Sequence, residues 1–345
     1  MVQSIALTQM QILFLLVAIS AGASLVLTGI VRTFALRHEV LDRPNRRSSH
    51  SIPTPRGGGV AVLLVSALGM TIGEVLGLVQ SREALTLGCG MLLLGVIGWA
   101  DDTRGVKPSV RLAVHVGIAF WTVYMLDGLP LVRVGNSSLV VGAVGYVLGT
   151  LGIVWNINLF NFMDGIDGLA GSQAVLIFGT IAVLLFLRGD YSLATIPAIL
   201  AATSGGFLAW NWPPAKIFLG DVGSGAIGYL IAGLALASEK NQSVPLLAFA
   251  IIEGVFICDA TVTLVRRVAR GDRLTEAHRD HAYQRLTRAW GSHRSVTGWA
   301  AAITVLLAVL GAVGTMDQRL LLPALLFAFF LLGGLLFAVE RRAPM

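Results

Sequence analysis

Charge is what this 345-residue chain has least of: 13% of its residues are charged, against 55% hydrophobic. So little charge cannot cover a water-soluble surface of that size, which leaves lipid as the solvent for most of the chain. Cysteine is nearly absent. Cys89 and Cys258 are the whole complement, and both lie in apolar runs, so a disulfide framework and a thiolate metal site are excluded. Residues 1–9 hold no Lys or Arg. A cleavable signal peptide would have a basic start, so the first apolar run reads as a retained span. The net charge is +6, but the basic residues sit in short loops between apolar runs and form no basic domain, which excludes nucleic acid as a partner. Internal repeats, low-complexity tracts and soluble domains are also lacking.

What is there is apolar length. A membrane-crossing helix needs about 20 apolar residues, and about eleven runs qualify: 10–31, 59–79, 84–100, 110–126, 138–158, 169–187, 191–209, 223–238, 245–265, 296–314 and 320–339. The expected fold is an all-α polytopic bundle forming one transmembrane domain over residues 1–345. With an odd span count, alternate loops share a face with the C-terminus. Twenty of the 25 Lys and Arg residues fall on that face, which makes it cytoplasmic, with the N-terminus outside. The cytoplasmic loops are then about 32–58, 101–110, 159–168, 210–222 and 266–295.

The polar motifs sort to the same face. In order they are Asp42-Arg-Pro-Asn-Arg-Arg-Ser-Ser-His50 running into Pro53-Thr-Pro-Arg56-Gly-Gly-Gly59, and then Asp101-Asp102. Asn158-Leu-Phe-Asn161-Phe-Met-Asp164-Gly-Ile-Asp167-Gly168 follows, then Phe218-Leu-Gly-Asp221-Val-Gly-Ser224, and last His278-Arg279-Asp-His281-Ala-Tyr-Gln-Arg285. Adjacent carboxylates such as Asp101 and Asp102 repel unless a cation or a shared proton relieves them; alone, the pair also reads as a solvated stop after a helix. Asn158, Asn161, Asp164 and Asp167 recur every three residues, so on a helix they share one side and can converge on one ligand. The other reading of that row is an Asx-rich helix cap. Asp221, at the start of an apolar run, suits an N-cap or a Mg²⁺ ligand equally, because Mg²⁺ takes one or two carboxylates with water and phosphates. Arg279, Arg285, His278 and His281 could neutralise a diphosphate, or be an ordinary positive-inside loop. Zinc lacks a third soft ligand there. His115 reads as a buried histidine. Glu253, mid-membrane, must face protein or a groove, and Asp259 belongs either to the site or to a helix contact.

These five ordered motifs, spanning roughly residues 40–290, resemble those of the polyprenyl-phosphate N-acetylhexosamine-1-phosphate transferases. That superfamily includes the enzymes that initiate O-antigen and enterobacterial common antigen, and phospho-MurNAc-pentapeptide transferase. The resemblance implies a bacterial inner-membrane enzyme, active on the cytoplasmic face and compatible with a homodimer. It would use Mg²⁺ (or Mn²⁺) to direct undecaprenyl phosphate onto the β-phosphorus of a UDP-sugar, releasing UMP. By that likeness Asp221 is the principal metal ligand, with Asp102 as partner. Asp101 and Asp102 act at the lipid phosphate, one of them as base. Asn158, Asn161, Asp164 and Asp167 hold the nucleotide and diphosphate. His278, Arg279, His281 and Arg56 contact substrate, and the run 245–265 lines a groove for the lipid tail. The peptidoglycan branch carries consecutive histidines in its last cytoplasmic loop, whereas this loop reads Ala277-His-Arg-Asp-His281. That favours the O-antigen-initiating branch and a donor such as UDP-GlcNAc or a 6-deoxy relative, with the peptidoglycan enzyme as the alternative. A transporter is the rival of another class. It would place ionisable groups and broken helices at the midplane, often in repeated halves, whereas here they gather at one boundary.

Overall fold

The computed structural model describes residues 2–44, 52–272 and 278–345. Asn45–Ser51, with Arg46, Arg47 and His50 of the first motif, and Arg273–Ala277, with the Ala277 that opens the last, lie outside the described residues. Thirteen α-helices fill the described chain: α1 Val2–Arg37, α2 Gly59–Val75, α3 Ser81–Arg104, α4 Pro108–Met125, α5 Val144–Phe162, α6 Leu169–Leu187, α7 Tyr191–Asn211, α8 Asp221–Lys240, α9 Leu246–Ile252, α10 Gly254–Arg270, α11 Ala282–Trp290, α12 His293–Met316 and α13 Leu321–Arg342. Two small antiparallel strand pairs complete it, β1 Leu41–Asp42 with β2 Thr54–Pro55, and the hairpin of β3 Leu131–Val134 with β4 Ser137–Val140. An all-α polytopic membrane protein is the result.

Each of the eleven apolar runs contains a helix. By length and composition, however, seven helices among the described residues are suited to crossing a membrane, or eight if α9 and α10 are one broken span. Three departures have physical causes. The run 138–158 begins in β4, because Gly135 and Gly142, both at positive φ, turn the chain into and out of a hairpin before α5 starts. The run 59–79 forms a helix of only 17 residues. The run 245–265 breaks at Glu253-Gly254, where α9 and α10 meet at 79°.

Small residues set the core. Helix α8 packs against α2, α3, α5, α6 and α9 and is buried along nearly its whole length. Where lipid removes most of the hydrophobic drive between helices, close van der Waals contact replaces it, and that needs small side chains. On α8, Gly228 lies against the backbone of Asn156 on α5, and Gly223 against Gly59 of α2. The periphery is the reverse: Phe14, Val26, Phe329 and Phe330 are all more than 60% exposed, as a lipid-facing surface requires. Because the helices run up and down, the ends of α3, α5 and α7 and the starts of α2, α4, α6, α8 and α12 gather at one end of the bundle. The described residues of the five polar motifs lie there.

Candidate functional site

Asp221 begins helix α8, and close backbone packing fixes where it stands. Gly220, at φ +78°, turns the chain into the helix. The Gly58 and Gly59 amides donate to the carbonyls of Phe218 and Leu219 (both 2.8 Å), and Phe218 N–H donates to Pro55 O (2.8 Å). The Pro-Arg-Gly-Gly-Gly motif is therefore the cradle of the Phe-Leu-Gly-Asp motif. A methyl on Gly59 would come 2.5 Å from Gly223 Cα, and one on Gly98 of α3 would strike the backbone of Asp221. Three elements meet at contact distances that only glycine permits.

Side chains from α5, α4, α3 and the segment before α2 gather around Asp221. Asn161, in the last turn of α5, donates to Asp221 Oδ1 (2.9 Å) and Ser224 Oγ (3.0 Å). Arg111, in the first turn of α4, donates through one nitrogen both to Asp101 Oδ2 and to Asp221 Oδ2 (3.2 Å from the latter). Asp101 also accepts from Val106 N–H (2.7 Å), which shapes the α3–α4 turn. Arg56 donates to Asp102 Oδ1 (3.2 Å) and Asp42 Oδ2 (2.9 Å). Burial opposes the Arg56 charge, but Asp42 and Asp102 more than offset it and hold its pKa above the ordinary value. Asp102 is itself buried, with its Oδ2 accepting from Val222 N–H (3.2 Å) at the α8 N-terminus. A small cleft, lined in part by Asp101, Arg111, His115, Asn158, Asn161 and Asp221, opens between them.

The sequence expectations divide here. Asp101, Asp102, Asn161, Asp221 and Arg56 come together in one network, and Asn158 lines the same cleft while bonding its own helix at Val154 O (2.7 Å). Asp164 stands in the turn after α5. Burial first, then the charges of Asp221 and Asp102, hold its carboxyl well above the usual carboxylate range. Asp167 points elsewhere. It accepts from Ala215 N–H (3.0 Å) and pairs with His293 (3.2 Å), tying the motif to the loop before α8 and to the start of α12. Arg111 was missed by motif reading. The signal available was a lone arginine in the first turn of an apolar run ten residues after Asp101.

A family-4 signature matches this arrangement: the model described as glycosyl transferase family 4 fits residues 84–239, from within α3 to within α8. A probable undecaprenyl-phosphate N-acetylglucosaminyl 1-phosphate transferase of Bacillus subtilis (strain 168) is 31% identical over 277 residues, covering 78% of this chain and 76% of that protein. The undecaprenyl-phosphate alpha-N-acetylglucosaminyl 1-phosphate transferase of Yersinia pestis is 30% identical over 323 residues, 88% and 86% of the two chains. This chain belongs to glycosyl transferase family 4. It is a sugar-1-phosphate transferase. The phospho-N-acetylmuramoyl-pentapeptide-transferase of a Nostoc strain is also similar, at 29% identity over 296 residues, 76% of this chain and 74% of that one.

Within this family-4 enzyme, His278 and His281 precede α11, with ring centroids 5.0 Å apart. Burial, then His281 and Arg267, push the His278 pKa down to about 4, so its imidazole is neutral near pH 7. Asp259 of α10 accepts from His281 Nδ1 (3.3 Å) and from the amides of Ala282 (2.8 Å) and Tyr283 (3.0 Å). Asp259 therefore caps α11 and aligns His281. Tyr283, a second residue absent from the expected set, donates to Phe162 O (3.0 Å) and packs on Gly165, joining the histidine segment to the Asn-Asp turn. Arg279 lies in the same segment, where its carbonyl accepts from Arg288 (3.0 Å).

The donor set suits a hard divalent cation. Asp101 and Asp221 present carboxylate oxygens to one point, where the Arg111 guanidinium now lies, and Asp102 and Asp164 add negative charge around it. Among the described residues no group of three His, Cys, Asp or Glu side chains would hold a metal alone. Any such ion would take its remaining ligands from water and phosphate.

Proposed function

We propose that this enzyme transfers an N-acetylamino-sugar-1-phosphate from a UDP-sugar, UDP-GlcNAc or a 6-deoxy relative, to undecaprenyl phosphate and releases UMP. The lipid diphosphate sugar so formed would initiate O-antigen or a related envelope polysaccharide. One observation carries the reading: helix α5 borders a charged cleft and an apolar groove in succession. Asn158 and Asn161 line the cleft, while Gly149, Gly152, Ile153 and Asn156 line a groove of about 310 Å³ walled by α8, α9 and α10. A lipid phosphate has these two needs, a polar site for its head and an apolar channel for its chain. The two N-acetylglucosaminyl transferases reported above favour this donor class over the peptidoglycan precursor, and so does a final loop without consecutive histidines.

The chemistry follows from charge. An oxygen of the acceptor phosphate attacks the donor β-phosphorus in line, and the bond from that phosphorus to the bridging oxygen breaks as UMP leaves. A phosphate monoester is largely ionised near pH 7, so alignment and neutralisation matter more than a strong base. Arg111 and Arg56 bring positive charge to the reacting phosphates. Asn161 orients Asp221, while Asp102 ties α3 to α8 through the Val222 amide and to the half-buried Arg56 before α2. By the family resemblance His278, Arg279 and His281 would contact the sugar phosphate, while Asp167 holds its turn to the loop before α8 and to the start of α12. Bound Mg²⁺, with Mn²⁺ as an alternative, would be held by Asp221 with Asp101 or Asp102 and would neutralise the donor diphosphate and the charge that develops on the departing UMP. The charge partition of the loops supports the inner membrane as location, with the cleft on the cytoplasmic side, where UDP-sugars are made.

Purified protein with undecaprenyl phosphate and Mg²⁺ should release UMP from one or more of a panel of UDP-N-acetyl sugars that includes UDP-MurNAc-pentapeptide. Asp221→Asn should lower that rate by about 10²-fold or more, the loss typical when a group stabilising transition-state charge is removed. If no donor yields UMP, the reading is wrong. If only the pentapeptide donor does, the branch is wrong.

A further inference from the structure

Glu253 is a carboxylate with no part in the cleft chemistry. It occupies the break between α9 and α10 and is 3% exposed. Its backbone serves both helices: its N–H donates to Phe249 O (2.9 Å), closing α9, and its carbonyl accepts from Phe256 (3.0 Å) and Ile257 (3.2 Å), opening α10. The side chain reaches across to α5, where Asn156 Nδ2 donates to Glu253 Oε2 (3.0 Å). Both residues line the apolar groove, and among the described residues the outer oxygens, Glu253 Oε1 and Asn156 Oδ1, have no hydrogen-bond partner.

An ionisable side chain this deep in an apolar wall is costly unless it does something there. Helix breaks inside a membrane persist where neighbouring groups satisfy the freed backbone and lock the bend. The groove depends on that bend. Leu246, Phe249 and Ala250 on one side of the break and Ile257 on the other form one wall, facing Ile153 and Leu148 of α5. Nothing comes within 4 Å of a methyl added at Gly152, so the space between these walls is open there. Among the described residues, the Glu253–Asn156 hydrogen bond is the polar link that ties the break to the opposite wall.

We propose that Glu253 and Asn156 form a polar clamp that sets the angle between α9 and α10 and so holds the groove to the shape of a long isoprenoid chain. Both are positioning residues for the acceptor, and the inference rests on the lipid-phosphate reading given above. A clamp part-way along a groove acts on acceptors long enough to pass it. Short acceptors bind by their phosphate and first units alone.

The test compares undecaprenyl phosphate with farnesyl phosphate on the full-length protein. Glu253→Leu and Asn156→Leu should each lower the ratio of kcat/KM for the long acceptor to that for the short one by about five-fold or more, the scale of one interhelical hydrogen bond in a membrane. KM for the UDP-sugar should stay within about two-fold of wild type, since the clamp does not touch the donor. Glu253→Gln, whose amide oxygen can still accept from Asn156, should keep the ratio. The double variant should lose no more than either single one. If Glu253→Leu does not fold, Asn156→Leu set against Glu253→Gln decides the matter. Equal losses with both acceptors, an unmoved ratio, or a donor KM that rises instead would overturn the clamp while leaving the transferase reading intact. A wild-type protein that uses neither acceptor would take both down.

Discussion

At the scale of single residues, the same chemical type serves opposite purposes. Asp101 and Asp221 share Arg111 at the cleft, whereas Asp102 caps α8, Asp167 pins a loop and Asp259 caps α11. In sequence all five are carboxylates beside apolar runs, so candidates for chemistry were legible there but their division of labour was not. That division depends on which amide or guanidinium each oxygen meets after folding. For Arg111 the sequence offered only its place at the start of an apolar run, since its role arises only when the α3–α4 turn folds it back toward Asp101. His278 offers a prediction at this scale. Folding moves its pKa from about 6.5 down to about 4, with burial the main cause. Between those values the unfolded chain binds the extra proton and the folded one does not. Stability should therefore rise with pH from about 4 to about 6.5 and be flat above that range as far as this group is concerned. Thermal unfolding of detergent-solubilised protein at pH 5 and pH 7.5 should show a smaller acid loss in His278→Gln than in wild type. Equal acid losses would mean that His278 titrates alike in both states.

At the scale of elements, the glycines decide where the carboxylates stand. Gly98 is the point at which α3 touches the first residues of α8, with Val222 Cα at 2.7 Å from where its Cβ would be. Gly98→Ala should push the two helices apart and separate Asp101 and Asp102 from Asp221. Overpacking of this kind costs about 1–3 kcal/mol, which a folded membrane protein can bear. A misplacement of about 1 Å in a catalytic group can cost about 10²-fold in rate. Activity should thus fall far more than the melting temperature. Gly117→Ala, on α4 where a methyl meets nothing within 4 Å, serves as the control and should change neither. Comparable effects of the two substitutions would show that helix spacing at Gly98 is unimportant. The helices themselves were legible from apolar length, and the hairpin 131–140 was not. Its Leu-Val-Val stretch continues smoothly in hydropathy into α5, and only the turns at Gly135 and Gly142 separate strand from helix. The break at Glu253-Gly254 was hidden in the same way, since a single carboxylate inside an apolar run says that something unusual is there without saying that the helix bends.

For the molecule as a whole, the loops divide between two ends of the bundle, and the ends differ in kind. One end holds the cleft, the histidine segment and most of the arginines. The other holds the β3–β4 hairpin, which Arg133 fastens to α8 through a buried pair with Glu239 (3.1 Å), and an exposed Arg82–Asp127–Lys240 cluster whose pairings hold the Asp127 pKa down to about 2. Ion pairs at the second end are satisfied among themselves, which suits a structural face. At the first end the carboxylates around Asp221 outnumber the arginines that meet them, as a site awaiting a cation and phosphates should. Loops rich in Lys and Arg stay cytoplasmic, so the cleft end should face the cytoplasm. Cysteine labelling checks this directly. In a protein with Cys89 and Cys258 replaced by alanine, Ser137→Cys on β4 and Arg270→Cys at the end of α10 place exposed thiols at opposite ends. A membrane-impermeant maleimide should reach the position-137 thiol in right-side-out vesicles and the position-270 thiol only in inverted ones. The reverse pattern would invert the molecule in the membrane without altering the fold. It would also separate the cleft from the cytoplasmic pool of UDP-sugars, and so remove the transferase reading's donor supply.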